Sequence, residues 1–182
     1  MKSLLTVGLF LGAIISLHGS MVQKEKKSST AEQTLSGVEL SLLSHKHKYN
    51  LNDLLRLDVM LRNSREDDIY VFGTLDFGYS ASLVLHISDA SGREIDPAVV
   101  FDAQTFALPN DRDAFIKLRS NHFLGTIFFS PLKFLNLTKP GKYAIVAEYK
   151  CPFATAEVNL KPFYGRENGP LRSNTVWIEV VK

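Results

Sequence analysis

The run Leu55-Arg56-Leu57-Asp58-Val59-Met60-Leu61-Arg62 puts an aliphatic side chain at every odd position and Arg, Asp or Met at every even one. Successive side chains on a β-strand point to opposite faces, so this spacing makes one greasy face and one wet face. An amphipathic helix would need apolar residues three and four apart, and the run does not supply them. It predicts a strand. The same period of two recurs along the chain. Val38, Leu40 and Leu42 carry it, as do Leu83, Leu85 and Ile87, then Tyr143, Ile145, Ala147 and Tyr149. Val176, Ile178 and Val180 close the series, and Ala156, Val158 and Leu160 predict a further strand over 155–160.

Shorter β-rich stretches at 69–72, 98–101, 115–118 and 125–129 fill the intervals, while 49–54 and 131–135 have the composition for a short helical turn. Turn chemistry separates the strands. Asp89-Ala90-Ser91-Gly92 offers a glycine for positive φ, and Lys139-Pro140-Gly141-Lys142 has Pro presetting φ at its second position. Connections this short argue against parallel crossovers, which need a dozen or more residues. The expected architecture is all-β, an antiparallel two-sheet sandwich over residues 37–182.

Composition excludes several classes. The chain has 182 residues, 45% hydrophobic and 22% charged, with Gly 11 and Pro 7, which rules out collagen-like, low-complexity and disordered chains. A single cysteine, Cys151, rules out a disulfide-stapled mini-protein, a cysteine-based zinc site and a CxxC redox pair. Inert burial is its expected state, with an intermolecular disulfide as the sharper alternative. A net charge of +2 is too small for a polyanion binder, so nucleic acid is not an expected partner.

Lys2 precedes an uncharged stretch from Leu4 to Leu17, followed by the small residues Gly19 and Ser20. This is the form of a secretory signal peptide over 1–20, too short for the roughly 20 residues of a straight membrane span. An uncleaved anchor and initiation at Met21 are the alternatives. No cysteine follows for a lipid anchor. Residues 21–36 are almost wholly polar and read as a flexible leader. The expected location is extracytoplasmic, periplasmic or secreted, without a membrane span after cleavage.

Three local signals carry a resemblance. Pro140-Gly141-Lys142-Tyr143 leads into 144–149, Ser173-Asn174-Thr175-Val176-Trp177-Ile178-Glu179-Val180 is a late strand-like run, and Leu57-Asp58-Val59-Met60-Leu61-Arg62-Asn63 ends in Asn before a polar turn. Together they resemble bacterial secreted immunoglobulin-like β-sandwich domains. The resemblance implies a Tyr143 hydroxyl that returns to nearby backbone and pins the corner. It departs from antibody-type domains in lacking the paired cysteines and in placing Trp177 on the last strand. It carries an architecture and no functional residue set.

Reactive constellations are not found. Phe77-Gly78-Tyr79-Ser80-Ala81 lacks the second Gly of a nucleophile elbow and reads as a turn. No phosphate loop, dinucleotide fingerprint, zincin helix or EF-hand occurs. His45 and His47 have strand spacing for two metal ligands, but Lys46 and Lys48 oppose a cation there, so no metal is expected. His86 and His122 are single, and the loop acids, among them Asp67, Asp68, Asp76, Glu94, Asp96, Asp111 and Asp113, have no ligand spacing. Asn136-Leu137-Thr138 is a glycosylation sequon.

Twelve Phe and six Tyr would mostly fill a core. The long 151–172 connection is the best place for an exposed binding loop, with Phe153, Phe163, Tyr164 and Arg166 as candidates. The expected role is that of a non-enzymatic exported domain, without catalytic residues or cofactor, which binds a protein or envelope component through loops or an edge strand. Homodimerisation through such an edge is an open route. The alternatives are a carbohydrate-binding module or small glycan-active enzyme, which needs exposed rings or two facing carboxylates, and a protease inhibitor presenting 163–172.

Overall fold

The computed structural model describes residues 37–78, 81–99 and 107–182. The expected signal peptide (1–20) and leader (21–36) lie outside the described residues, as do Tyr79 and Ser80.

Among the described residues, ten strands run in chain order. They are β1 (Val38–Ser44), β2 (Lys48–Asn50), β3 (Leu54–Asn63), β4 (Ile69–Phe72), β5 (Leu83–Asp89), β6 (Phe115–Leu118), β7 (Phe123–Pro131), β8 (Gly141–Tyr149), β9 (Leu171–Arg172) and β10 (Val176–Val181). One sheet has the order β1-β3-β7, the other β2-β10-β8-β5 with β9 on β8, and β4 pairs with β6 separately.

The alternation read from the sequence is what closes the two sheets. Leu55, Leu57, Val59 and Leu61 on β3 are fully buried. So are Ile145, Ala147 and Tyr149 on β8, with Ile178 and Val180 on β10 nearly so. All belong to one apolar cluster, and each large aliphatic chain there stabilises by about 1.5–3 kcal/mol relative to exposure.

The topology is that of an immunoglobulin-like sandwich, with β1, β3 and β7 against β5, β8 and β10. The corner is pinned as expected, since the Tyr143 hydroxyl donates to the Lys139 carbonyl at 2.7 Å. One pairing differs from expectation. β2 runs parallel to β10, Glu179 beside Lys48, because the chain leaves the first sheet after Ser44 and joins the second within four residues. No crossover is needed when one strand simply changes sheets.

Other expectations need correction. Residues 155–158 form a short helix, Thr155–Val158, instead of a strand. The Glu157 carboxylate accepts the Ala154 N–H at 2.6 Å, and Asn159 at φ +54° ends the turn. Ala98 and Val99 are not in a strand; they follow Pro97, which has no N–H to pair, and residues 100 and 101 lie outside the described residues. Residues 49–54 give β2 and a hydrogen-bonded turn, in which Asp53 N–H donates to the Asn50 carbonyl at 2.8 Å, and no helix. The turn expected within 131–135 is a 3₁₀ turn at Leu132–Leu135. Among the described residues no helix is long and apolar enough to cross a membrane.

Candidate functional site

The long connection brings Phe153, Phe163, Tyr164 and Arg166 together, but not as an exposed strip. Phe163 and Tyr164 are buried. The segment docks on β4, where Tyr70 N–H donates to the Pro162 carbonyl and Tyr164 N–H to the Tyr70 carbonyl, at 2.8 and 2.9 Å. Phe163 then meets Phe115 edge-on at 5.5 Å, and half-buried Phe153 packs against Phe72 at 5.5 Å. Arg166 is exposed, with its guanidinium donating to the Pro152 carbonyl at 2.9 Å. These side chains staple the connection to the body. Two of the three rings proposed for stacking a ligand are therefore unavailable to one.

Cys151 is buried here as well. Desolvation pushes its thiol up to about 12, away from the thiolate. His45 and His47 sit exposed at the tip between β1 and β2, and among the described residues no three His, Cys, Asp or Glu side chains are grouped to hold a metal ion.

The apolar surface lies elsewhere, on the outer face of the β1-β3-β7 sheet. Phe123, Ile127 and Phe129 on β7 are 64%, 47% and 57% exposed, joined by Leu43 at 52% and Leu54 at 58%. Strand parity makes this a single face: Phe123 stands opposite Arg62, Gly125 opposite Met60, Ile127 opposite Asp58 and Phe129 opposite Arg56. Leu43 flanks Asp58 from the other side. The Arg56 guanidinium lies over the Phe129 ring at 5.5 Å and donates from Nε to Asp58 at 3.1 Å. Gly125 leaves a bare notch between the β7 side chains. Even a Cβ there would meet the Val59 carbonyl at 3.2 Å. Among the described strands β7 ends its sheet. From the sequence, Phe123 and Phe129 belong to the rings that either fill a core or form an exposed aromatic strip; their odd positions, opposite in parity to buried Phe128, are the signal that places them on the outer face.

A second feature is ionic. Glu148 on β8 is buried, yet Lys150 and Arg172 reach it at 2.9 Å each and His86 at 3.4 Å. Burial alone would raise its carboxyl, and the Lys150 and Arg172 hydrogen bonds outweigh that and hold it below the ordinary value. Such a network fixes β5, β8 and β9 relative to one another. On β10, Trp177 is exposed beside Lys142 and Glu179.

No protein-family model matches the chain, and no curated protein matches it. Among solved structures, the β-glucosidase EmGH1 from Erythrobacter marinus is similar at 14% identity and a TM-score of 0.36, over 79% of this chain and 16% of its own. The CARDB domain of PF1109 from Pyrococcus furiosus, solved in complex with di-metal ions, is similar at 14% identity and a TM-score of 0.39, over 79% of this chain and 92% of its own. AvmM, which catalyses macrocyclisation in alchivemycin A biosynthesis, is similar at 10% identity and a TM-score of 0.41, over 81% and 90%. The chain thus spans 16% of the length of that β-glucosidase. At these scores the likenesses say nothing of the chain's own chemistry.

Proposed function

We infer that the chain is an exported, non-enzymatic immunoglobulin-like module that binds a protein through the outer face of its β1-β3-β7 sheet. One observation carries this reading. Five large apolar side chains, Leu43, Leu54, Phe123, Ile127 and Phe129, are each about half exposed on that one face. Large apolar side chains gathered on one exposed face, here Phe123, Ile127 and Phe129 along β7 with Leu43 and Leu54 beside the charged Arg56 and Asp58, are maintained at a cost in solubility and mark interaction sites. Aromatic side chains with an adjacent Arg, as at Phe129 and Arg56, are the residue types that dominate protein interfaces. Export rests on the apolar 4–17 segment behind Lys2, and the envelope is the setting in which the partner is sought. The glycan-stacking alternative loses its support with the burial of Phe163 and Tyr164.

The test is a photo-crosslinking residue placed at Leu43, on the face, and at Trp177, exposed on the other sheet, in the full chain expressed in its own host. The reading expects a discrete protein adduct from position 43 and none of the same mass from position 177. An adduct of twice the chain mass would identify a second copy as the partner. Equal labelling from both positions, or none from 43, overturns it.

A further inference from the structure

We propose that the hollow beside β5 is a binding site for a small primary alkylammonium ion, taken tail first. The hollow has a volume of about 200 Å³, roughly six or seven water-sized volumes at about 30 Å³ each. Its floor is apolar. The Phe77 and Phe128 rings meet there at a tilt of 59° with centroids 4.7 Å apart, and buried Leu135 and half-buried Leu85 line the hollow with them. Its mouth is anionic, with Glu94 and Asp96 both exposed.

Among the described residues, the charges at the mouth are not balanced. His86 stands between two carboxylates, with Nδ1 at 3.4 Å from Glu94 and Nε2 at 3.4 Å from Glu148. Glu148 is already met by Lys150 and Arg172. That leaves Glu94 with His86 as its one ion-pair partner among the described residues, and Asp96 with none. Lys139 and Lys142 line the polar cleft on the other side of the 94–96 segment, and neither comes within ion-pair distance of Asp96. Among the described residues, Glu94 and Asp96 therefore place negative charge that no ion pair beyond the His86 contact offsets at the mouth of an apolar well.

The order of these features selects the ligand. A lysine side chain or a diamine would carry an ammonium onto the Phe77–Phe128 floor, where among the described lining residues ring faces meet it and no carboxylate does; desolvating a charge there costs more than a ring contact returns. An alkyl chain of four to six carbons can fill the floor while its single ammonium stays among the two carboxylates. The charge-assisted hydrogen bonds are then made at the rim, and the apolar contacts below. This site is separate from the face assigned above to protein binding.

Isothermal titration of the full chain with n-pentylammonium at neutral pH, against 1,5-diaminopentane, pentanoate and a capped lysine peptide, tests the proposal. Pentylammonium is expected to bind at least about tenfold more tightly than any of the three, a difference of about 1.4 kcal/mol. The double variant Glu94→Gln/Asp96→Asn, which changes only exposed side chains and so leaves the fold intact, is expected to weaken it by a similar factor. Preference for the lysine peptide would assign the site to a partner's side chain and overturn the proposal. So would equal binding of pentanoate, unchanged binding to the double variant, or no binding of pentylammonium at all.

Discussion

The carboxamide of Asn174 meets both main-chain groups of Leu42, accepting from its N–H at 3.0 Å and donating to its carbonyl at 3.0 Å. Leu42 lies on β1 in one sheet and Asn174 just ahead of β10 in the other. The side chain thus acts as one more strand residue where the sheets part, satisfying backbone groups that would otherwise need another partner. Asn174→Asp keeps the size and the acceptor but removes the donor. It is expected to cost about 1–2 kcal/mol, read as a lowered denaturation midpoint with unchanged slope, whereas a midpoint equal to wild type would deny the amide this role.

Tyr143→Phe removes one hydroxyl and leaves the ring. The lost bond to the Lys139 carbonyl should destabilise the chain by about 0.5–1.5 kcal/mol. Because the corner orders the turn into β8, the amides of 139–142 should exchange faster in the variant than in wild type. Unchanged exchange there would show that the turn stands without the tyrosine.

Stability should fall on the acid side. Glu148 is held below its ordinary 4.5 against the opposing effect of burial, and Asp68 below 3.8 chiefly by its hydrogen bond from Lys117. A carboxyl whose value is lowered in the fold stabilises above its unfolded value and loses that contribution as pH drops through the folded one. The melting temperature should therefore be level from about pH 7 to 5 and decline below about 4.5. Glu148→Gln should lower the neutral plateau and soften the decline. An acid limb identical to wild type would remove Glu148 from the account.

Cys151 should be silent. Its thiol is buried and pushed up to about 12, so a thiol reagent at pH 8 should label it only as the chain unfolds, at a rate that follows denaturant. Stoichiometric labelling of the native protein would contradict its placement, and so would a disulfide-linked dimer formed without unfolding.

The sandwich was legible because burial on one face of a strand leaves a period of two that little else imitates. Leu55 to Leu61 declare it residue by residue, whereas on β8 the even positions Ala144 and Glu148 are buried as well, and Tyr143, Ile145, Ala147 and Tyr149 alone carry the period. Over 155–160 the same period misled, since four residues are too few to separate a strand from a single helical turn, and the deciding contact, Glu157 on the Ala154 N–H, is a cap. The rings of the 151–172 connection were misplaced for a different reason. Whether Phe163 faces solvent depends on its docking to Tyr70, some 90 residues away in sequence, and no local pattern reports that. Phe123, Ile127 and Phe129 could have been separated from Phe128 by parity, but only once β7 was known to end a sheet whose other face is the core. The Glu94–Asp96 mouth needed the distance from Glu148 to Arg172, which linear sequence does not contain.

Phe123→Thr/Ile127→Thr/Phe129→Thr tests the proposed role most directly, with the crosslinking residue kept at Leu43. Threonine preserves strand propensity while removing the apolar surface. Since all three positions are exposed, the melting temperature is expected to stay within a few degrees of wild type, while the protein adduct from position 43 disappears. A triple variant that keeps its adduct at full yield, or one that unfolds, would contradict the assignment of this face to recognition.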